Sequence, residues 1–570
     1  MASSSELHIF RDSRCRTSAA ELVSEIRFEL SHLPRRPGPK ALNTLLLRAG
    51  ELECALSDAQ GTSAMSEHAV RLTDLFAKIA QLPASEPCDG HQLTSIALPI
   101  LEQIHYSGTL TVSTPEGFAY YALHPLDYAD LIARLPINRR SAQVIGVRSI
   151  GTTLSAVVSE KLREQGVAAE RFTVRPTGHP YDRRCELDTV QRQKLASALA
   201  ADATFVICDE GPGRSGSSLV SVAEALEREG VPSSHILILC AYEPDLAVLC
   251  ASDAARRWSR YRFAAAEMTC RLPNDATEYL GSGEWRRRLI PTGQPWPAVW
   301  PQMDRLRYGS SDGHTIFTFE GHGAYGAAVR TRNEAVAREG FGLPYFGQEE
   351  GFGQHRLATG TTAWHERISP QLLTHIARYC AWRALEFNVA KVDLAQLETM
   401  VRVNFEREFG TPVKEMSLEV EFPMVCDAHM MPHEWLYTSS GSWLKVNSAI
   451  HGDDHFFPGP CDIAWDLAGV VVEWKLTGSA RQFFLEAYRN ASGDDAAARI
   501  ACYEVAYCTF QMAWSKMAAG SVVGTDEEQR LLSDYRRYKD FVRSAQRRDP
   551  STADHRVILC ENSPVVGHSL

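Results

Sequence analysis

No apolar run in this 570-residue chain approaches the length that a bilayer span needs. Its N-terminus, MASSSELHIFRDSRCR, lacks the apolar centre of a secretory signal, so none is expected. Basic excess is missing too. Lys and Arg number 59 against 70 Asp and Glu, and a net charge of −11 argues against a nucleic-acid-binding surface. The 14 cysteines show no C-x-x-C spacing, and Cys208, Cys240, Cys250, Cys502 and Cys508 sit in apolar stretches. That pattern argues against zinc and against a disulfide framework, and favours reduced thiols in a cytoplasmic protein. Internal repeats and low-complexity tracts are absent as well.

At this length several domains are expected. Residues 1–95 read as a helical segment, because AAELVSEIRFELSHL and AVRLTDLFAKIAQL carry apolar residues three and four apart. TLTVSTPEGFAYYAL suggests a hairpin or edge strand. Through residues 96–304 strand and helix patterns then alternate: SAQVIGV, RFTVRP, TFVICDE and HILILC between helical runs. This alternation predicts an α/β fold with a mainly parallel sheet. The Trp-, Pro- and Arg-rich GEWRRRLIPTGQPWPAVWPQ reads as a connector, and residues 305–570 as an α+β domain. In it TIFTFEGHGAYGAAVRTR reads as a hairpin with a glycine-rich turn, Ile368–Glu408 as helical, and the stretch to about 547 as mostly helical.

The most informative stretch is Phe205-Val-Ile-Cys208, ended by Asp209 and Glu210 and followed by the small-residue loop Gly211–Ser218 and a helical run. Gly211, Gly213 and Gly216 spell G-x-G-x-x-G, a dinucleotide fingerprint, but two acids ahead of the loop would oppose a pyrophosphate. The loop also resembles a P-loop, except that Ser217 stands where the lysine belongs. A third reading uses the acids: a carboxylate pair accepts hydrogen bonds from two ribose hydroxyls, while the loop's backbone N–H groups wrap a 5′-phosphate.

On these residues the chain resembles the type I phosphoribosyltransferases, whose motif is an apolar strand, two acids and a Thr/Ser/Gly loop opening a helix. The resemblance implies 5′-phosphate binding by Gly213, Arg214, Ser215, Gly216, Ser217 and Ser218, although this loop is one residue longer than the usual pattern. A second strand–loop–helix, Val144 to Leu154, corresponds to the family's pyrophosphate loop and implies contacts from Arg148, Ser149, Gly151, Thr152 and Thr153. Between the loops lies RPTGHPYDRRCEL, where the family carries a mobile basic catalytic loop, so His179 and Arg183 join Asp209 and Glu210 as candidate catalytic residues. The implied reaction is displacement of pyrophosphate, neutralised by Mg2+, from C1 of phosphoribosyl pyrophosphate. The segment GFAYYALHPLDYADL or the Trp-rich connector would hold the acceptor.

Further on, Val425-Cys-Asp427-Ala-His429-Met-Met-Pro432-His433-Glu434 resembles the catalytic loop H-G-D-x-H-x-x-N of aminoglycoside phosphotransferase-like kinases, and Asp462-Ile-Ala-Trp-Asp466-Leu-Ala resembles their D-P-A-x-D-L-A helix. The resemblance puts Asp427 at the catalytic base, with ATP as the donor if the domain turns over. It puts a magnesium site on Asp427, Asn447, and Asp453 or Asp454. The chain departs from the pattern at Cys426, Pro432 and Asn447. It has no lysine between 305 and 390, where Arg330 or Arg332 could substitute. The combined expectation is a phosphoribosyltransferase fused to a small-molecule kinase-like domain, with small-molecule substrates, no nucleic-acid or membrane partner, and a homodimer left open. One rival is a regulatory protein that senses phosphoribosyl pyrophosphate or a nucleotide without turnover. Another is a dinucleotide-binding oxidoreductase, for which Glu243 after ILILCAY is the required acid.

Overall fold

The computed structural model describes residues 7–546 except 84–85, 87, 214, 248, 268–270, 358–359, 366–367 and 414–415. Strand β1 (Cys15–Ser18) runs into helix α1 (Ala19–Ser31). Ser18 accepts from the Glu21 N–H while Glu21 accepts from the Ser18 N–H, the reciprocal cap that S-x-x-E encodes. Helices α2 (Pro39–Gln60), α3 (Ala64–Ala80) and α4 (Gly90–Leu101) come next. Their apolar faces close on a core that includes Leu22, Ile26, Leu45, Leu52, Phe76 and Leu93.

Strand β2 (Thr109–Val112) pairs antiparallel with β1. Of the hairpin or edge strand expected over 109–123, the edge strand forms as β2 and the hairpin does not. Pro115 fixes its own φ and has no N–H for a ladder, and it caps the one-turn helix α5 (Glu116–Ala119) instead. Helix α6 (Pro125–Arg134) completes this stretch.

The alternation read from the sequence builds β3 (Ser141–Val147), α7 (Ile150–Glu164), β4 (Ala168–Val174), the small hairpin β5 (Thr177–His179) and β6 (Asp182–Arg184), α8 (Thr189–Ala200), β7 (Thr204–Cys208), α9 (Ser217–Arg228), β8 (Ile236–Cys240), α10 (Ala254–Trp258) and β9 (Arg262–Ala265). The large sheet has the order β4-β3-β7-β8-β9, and all its neighbours are parallel. Its inner strands are apolar and buried on both faces, as helices on both sides require.

A second, antiparallel sheet opens with β10 (Ala276–Tyr279), ahead of the domain start expected at 305. After the one-turn α11 (Arg286–Leu289) come β11 (Arg307–Ser310), β12 (Thr315–Phe319), α12 (Ala327–Glu339), β13 (Tyr345–Glu349) and β14 (Phe352–Arg356), in the order β10-β11-β12-β14-β13. The glycine-rich run after Phe319 is not a hairpin turn. Gly321, at φ 127°, passes so close to Gly326 that neither could carry a Cβ, and the chain turns into α12.

The helical body contains β15 (Gly360–Thr362), α13 (Pro370–Glu386), α14 (Ala395–Phe409), β16 (Pro423–Met424), β17 (Trp435–Thr438), β18 (Trp443–Lys445), β19 (Cys461–Asp462), α15 (Ala464–Glu473), α16 (Gly478–Ser492), α17 (Ile500–Ala519) and α18 (Asp526–Gln546). The Trp-rich stretch packs onto it rather than bridging space. Arg286 is buried and donates to the Pro297 carbonyl and to Glu527, and Trp300 is buried in the same core. Residues 7–11 also belong to this body. Leu7 and Ile9 enter its core, and Arg11 donates to the Asp454 carbonyl at 2.6 Å.

The N-terminal helices are tied to the parallel sheet by one buried ion cluster. Arg171 of β4 makes a two-point bond to Glu53 of α2, at 2.7 Å each, and a third contact to Asp74 of α3. Side chains of Arg171 and Glu53 are almost wholly excluded from solvent. Removing Glu53 leaves the buried guanidinium with Asp74 as its one remaining carboxylate, at a cost of about 3 kcal/mol. Glu53→Ala is therefore expected to lower the unfolding free energy from urea denaturation by that order, and a value within error of wild type would contradict it.

Candidate functional site

Strands β3 and β7 are neighbours, with Gly146 opposite Cys208. The two loops singled out in the sequence therefore leave the same edge of the sheet side by side. Glycine is required at the join. A Cβ on Gly151 would lie 2.4 Å from the Cys208 carbonyl oxygen, and one on Gly146 would lie 2.3 Å from the Gly151 carbonyl oxygen.

In the first loop Ser149 has φ 98°, a left-handed backbone that a non-glycine residue holds only under constraint from its surroundings. It stands at the N-terminus of α7 without capping that helix by its side chain. Gly151, Thr152 and Thr153 form the buried first turn, and the Thr152 hydroxyl has no hydrogen-bond partner. Arg148 donates to the Thr173 hydroxyl at 3.2 Å and to Asp58 at 3.3 Å. Arg175 donates to Asp58 at 3.1 Å and to the Arg148 carbonyl at 2.9 Å. Asp58 of α2 thus aims both guanidinium groups at this loop, a contact that sequence reading missed.

In the second loop Gly213 and Gly216 take left-handed backbones, at φ 55° and 69°. Arg214 lies outside the described residues. The Ser217 N–H donates to the Ser215 hydroxyl, and the Ser217 hydroxyl donates to the Pro180 carbonyl at 2.6 Å. Ser218 lies in the first turn of α9, whose N-terminus has no side-chain cap. The Pro180 contact brings the tip of the β5–β6 hairpin onto the loop. His179 and Arg184 of that hairpin are exposed, and Arg183 is half-buried and donates to the Gly178 carbonyl at 3.0 Å. Both loops present backbone donors of uncapped helix starts at one edge, a geometry that receives phosphate groups.

Between the loops stand the two acids, each half-buried. Asp209 accepts from the Glu210 N–H at 2.9 Å, and its carbonyl accepts from the Tyr128 hydroxyl at 2.5 Å. Glu210 accepts from the Gly117 N–H at 3.2 Å. Burial pushes the Asp209 carboxyl up to about 7. Burial, with Glu116 and Asp209 as like-charged neighbours, pushes Glu210 up to about 8.

The C-terminal motif is arranged differently from the expectation. Asp466 of α15 accepts from the N–H groups of Asp427 at 2.8 Å and Ala428 at 2.9 Å. Asp427 itself is sealed from solvent, accepting from Tyr379 and lying 3.2 Å from Lys445. Ala428 has φ 65°, the backbone of a glycine position. Aligned on that residue, H-G-D-x-H-x-x-N falls on Asp427 through Glu434. His429 then stands at the base position and Glu434 at the asparagine. The Asp427 carboxyl group, to which the resemblance gives the role of base, is buried in the fold.

His429, Glu434, Asn447, His451 and Asp454 line a cavity of about 250 Å3 between the antiparallel sheet and the helical body. The His429 and His451 rings stack at 3.7 Å with 8° between planes. His429 Nδ1 lies 3.4 Å from Glu434, and His451 Nδ1 lies 3.3 Å from Asp454. Burial pulls His429 down, but Glu434 outweighs it and holds the imidazole above its ordinary value. Asn447 donates to Glu434 at 3.1 Å and accepts from Arg307 at 2.9 Å.

The residues expected to hold magnesium do not fit it. Asp427 is paired inside with Lys445, Asp453 with Arg332, and Asp454 accepts from the Phe456 N–H. Among the described residues no group of three or more His, Cys, Asp or Glu is placed to hold a metal ion. Arg332, the candidate replacement for the lysine, spends its donors on Asp453 and the Ala449 carbonyl. Among the same residues no helix is long and apolar enough to cross a membrane.

No protein-family profile matches the chain. No curated protein matches it either. Solved structures similar to it include the choline kinase LicA from Streptococcus pneumoniae, 14% identical, covering 42% of this chain and 89% of that one at a TM-score of 0.30. A choline/ethanolamine kinase family protein from Mesorhizobium loti is 16% identical and covers 47% and 95%, also at 0.30. Spectinomycin phosphotransferase in complex with ADP and spectinomycin is 10% identical and covers 44% and 87%, at 0.27. These kinase-fold neighbours extend over about half the chain, and none of them matches the phosphoribosyltransferase resemblance.

The charges set two expected outcomes. A carboxyl raised in the fold binds its proton more tightly there than in the unfolded chain, so its contribution lowers stability as pH rises from about 4 to about 8. Asp209→Asn with Glu210→Gln is expected to stabilise the protein at pH 8 by about 1–2 kcal/mol relative to wild type and not at pH 4, read from thermal midpoints at the two values. Asp427→Ala is expected to destabilise the fold by about 3 kcal/mol, because Lys445 would keep Glu434 as its one remaining carboxylate partner inside the protein. An unchanged midpoint in denaturant would contradict its structural role.

Proposed function

We propose that the alternating α/β region is a phosphoribosyltransferase whose donor is phosphoribosyl pyrophosphate, entering as its magnesium complex. The observation that carries this reading is the pair of glycine-joined loops on adjacent parallel strands, with Asp209 and Glu210 between them. Asp209 and Glu210 would accept hydrogen bonds from the two ribose hydroxyls. The loop 211–218 and the start of α9 would take the 5′-phosphate. Arg148, the Ser149–Thr153 turn and the start of α7 would take the pyrophosphate, with Arg175 beside it. Departure of pyrophosphate leaves positive charge on the ribose ring, and two carboxylates alongside stabilise it. His179 and Arg183 sit on the hairpin that rests on the second loop through Ser217, where closing would exclude water.

The burial of the acid pair supports this assignment over a dinucleotide site. Removing charge there relieves the fold, so the pair is kept at a cost, and a pyrophosphate between the carboxylates would raise that cost.

The C-terminal region carries a second reading, that of a kinase-like binding unit without magnesium-dependent phosphoryl transfer. It is favoured by the sealed Asp427 and by His429 and Glu434 in the positions that would serve a base and a metal.

Calorimetric titration with phosphoribosyl pyrophosphate in magnesium tests the first reading. Saturable binding is expected, weakened at least 100-fold, about 3 kcal/mol, in Asp209→Asn/Glu210→Gln. No binding, or equal binding by the variant, would overturn it. Binding of NAD in its place would return the site to the oxidoreductase class.

A further inference from the structure

Five residues join the two candidate sites. The Gly117 N–H donates to the Glu210 carboxylate at 3.2 Å. A Cβ there would lie 2.6 Å from Ile150 Cδ1 and 3.0 Å from the Glu210 carboxyl carbon, so a larger residue would have to displace the Ile150 and Glu210 side chains. The next carbonyl, of Phe118, accepts from the His322 N–H at 2.9 Å. The Ala119 carbonyl accepts from Arg305 at 3.1 Å, and the same guanidinium donates to the Ile450 carbonyl at 3.3 Å. Arg305 also lies 4.8 Å from the centre of the Tyr120 ring, whose other neighbour is the His455 ring, also 4.8 Å away. The Tyr121 hydroxyl is 3.2 Å from His455 Nε2. Tyr120, Tyr121, Asp454 and His455 are all walls of the C-terminal cavity.

We infer that Gly117–Tyr121 is a positioning element for Glu210, and that through it the transferase site reads whether the C-terminal cavity is occupied. Four residue steps span at most about 14 Å even when extended, and here they form a helical turn, so the ends are closer than that. Backbone groups along the way are fixed to different parts of the cavity's surroundings. A ligand that displaces Tyr121 or His455 therefore shifts the Gly117 N–H relative to Glu210. That donor stabilises the ionised carboxylate, so its movement changes the charge and aim of the group assigned to the ribose. Burial raises Glu116, with Asp454 of the cavity wall adding to the effect, so the two sites also share an electrostatic neighbourhood. A kinase-like body whose described residues place no metal-binding group then has a role as the module that sets the acid pair.

This inference rests on the phosphoribosyl pyrophosphate reading, and its test has one arm that does not. In the first arm, a double-mutant cycle of Tyr121→Phe and Glu210→Gln is read as the Kd for phosphoribosyl pyrophosphate in magnesium. Tyr121→Phe is expected to weaken binding at least threefold when Glu210 is present and less than about 1.5-fold when it is Gln. Equal effects in both backgrounds, or none in either, would overturn the coupling; His455→Gln repeats the cycle from the other side of the same contact. The second arm is amide hydrogen exchange without ligand. Glu210→Gln is expected to speed exchange in 117–123 and in 449–457, whereas a change confined to 205–219 would overturn the inference. Failure of wild type to bind phosphoribosyl pyrophosphate would remove the proposed donor and leave the exchange result to decide the coupling.

Discussion

The arrangement depends on one close approach, the Gly151 backbone lying against the Cys208 carbonyl. Parallel pairing of β3 with β7 brings the ends of two strands together, but it does not by itself bring the loops beyond them into contact. The absence of side chains at Gly146 and Gly151 does that. It sets two uncapped helix N-termini side by side and leaves Asp209 and Glu210 between them. A methyl group at Gly151 would have to push the loops apart, and a site spanning a sugar between two phosphate groups would lose its spacing. The strained Ser149 backbone belongs to the same constraint, being held by the chain on both sides of it.

Charge management obeys the same logic. Arg148 and Arg175 share Asp58, so the cationic side of the site is braced by a helix from the N-terminal layer, and that layer is bound to the sheet through Arg171 and Glu53. The acids have no such brace. They take hydrogen bonds from backbone N–H groups and stand close to Glu116, which keeps their protons on more tightly than in water. The C-terminal body shows the reverse. Its carboxylates Asp427, Asp453 and Asp466 are each committed to cations or backbone donors inside the fold, which secures the loop carrying His429 and leaves little for a metal.

Much of the parallel sheet is legible in the sequence because its signals are local: short apolar runs, the turn of acids and glycines after Cys208, and helical periodicity between them. The acid pair is legible for the same reason. Asp58 is not, since it reaches the site from a distant part of the chain and carries no motif; Gly117 and Tyr128 fall in the segment expected to hold the acceptor, but nothing local marks their contacts with Glu210 and Asp209. The glycines of TIFTFEGHGAYG suggest a hairpin because they mark a turn without specifying the next element; the helix-forming AAVRTRNEAVARE decides that. Asp427 attracts the role of base because it is the first acid of the motif stretch. Two registers fit the spacing, and the choice between them lies in the left-handed backbone of Ala428 and in Tyr379 and Lys445, which bury the Asp427 carboxylate. Leu7 and Ile9 read as part of an N-terminal helical segment, and nothing local shows that they cross to the C-terminal core.

The central claim is that one sugar bridges the two loops with a phosphate group at each end. Phosphorus NMR of the magnesium complex of phosphoribosyl pyrophosphate titrated with the protein tests it most directly, because the 5′-phosphate and the pyrophosphate give separate resonances. The account predicts that both sets shift and broaden together along one saturation curve. Movement of the pyrophosphate resonances alone, with the 5′-phosphate unchanged, would contradict it.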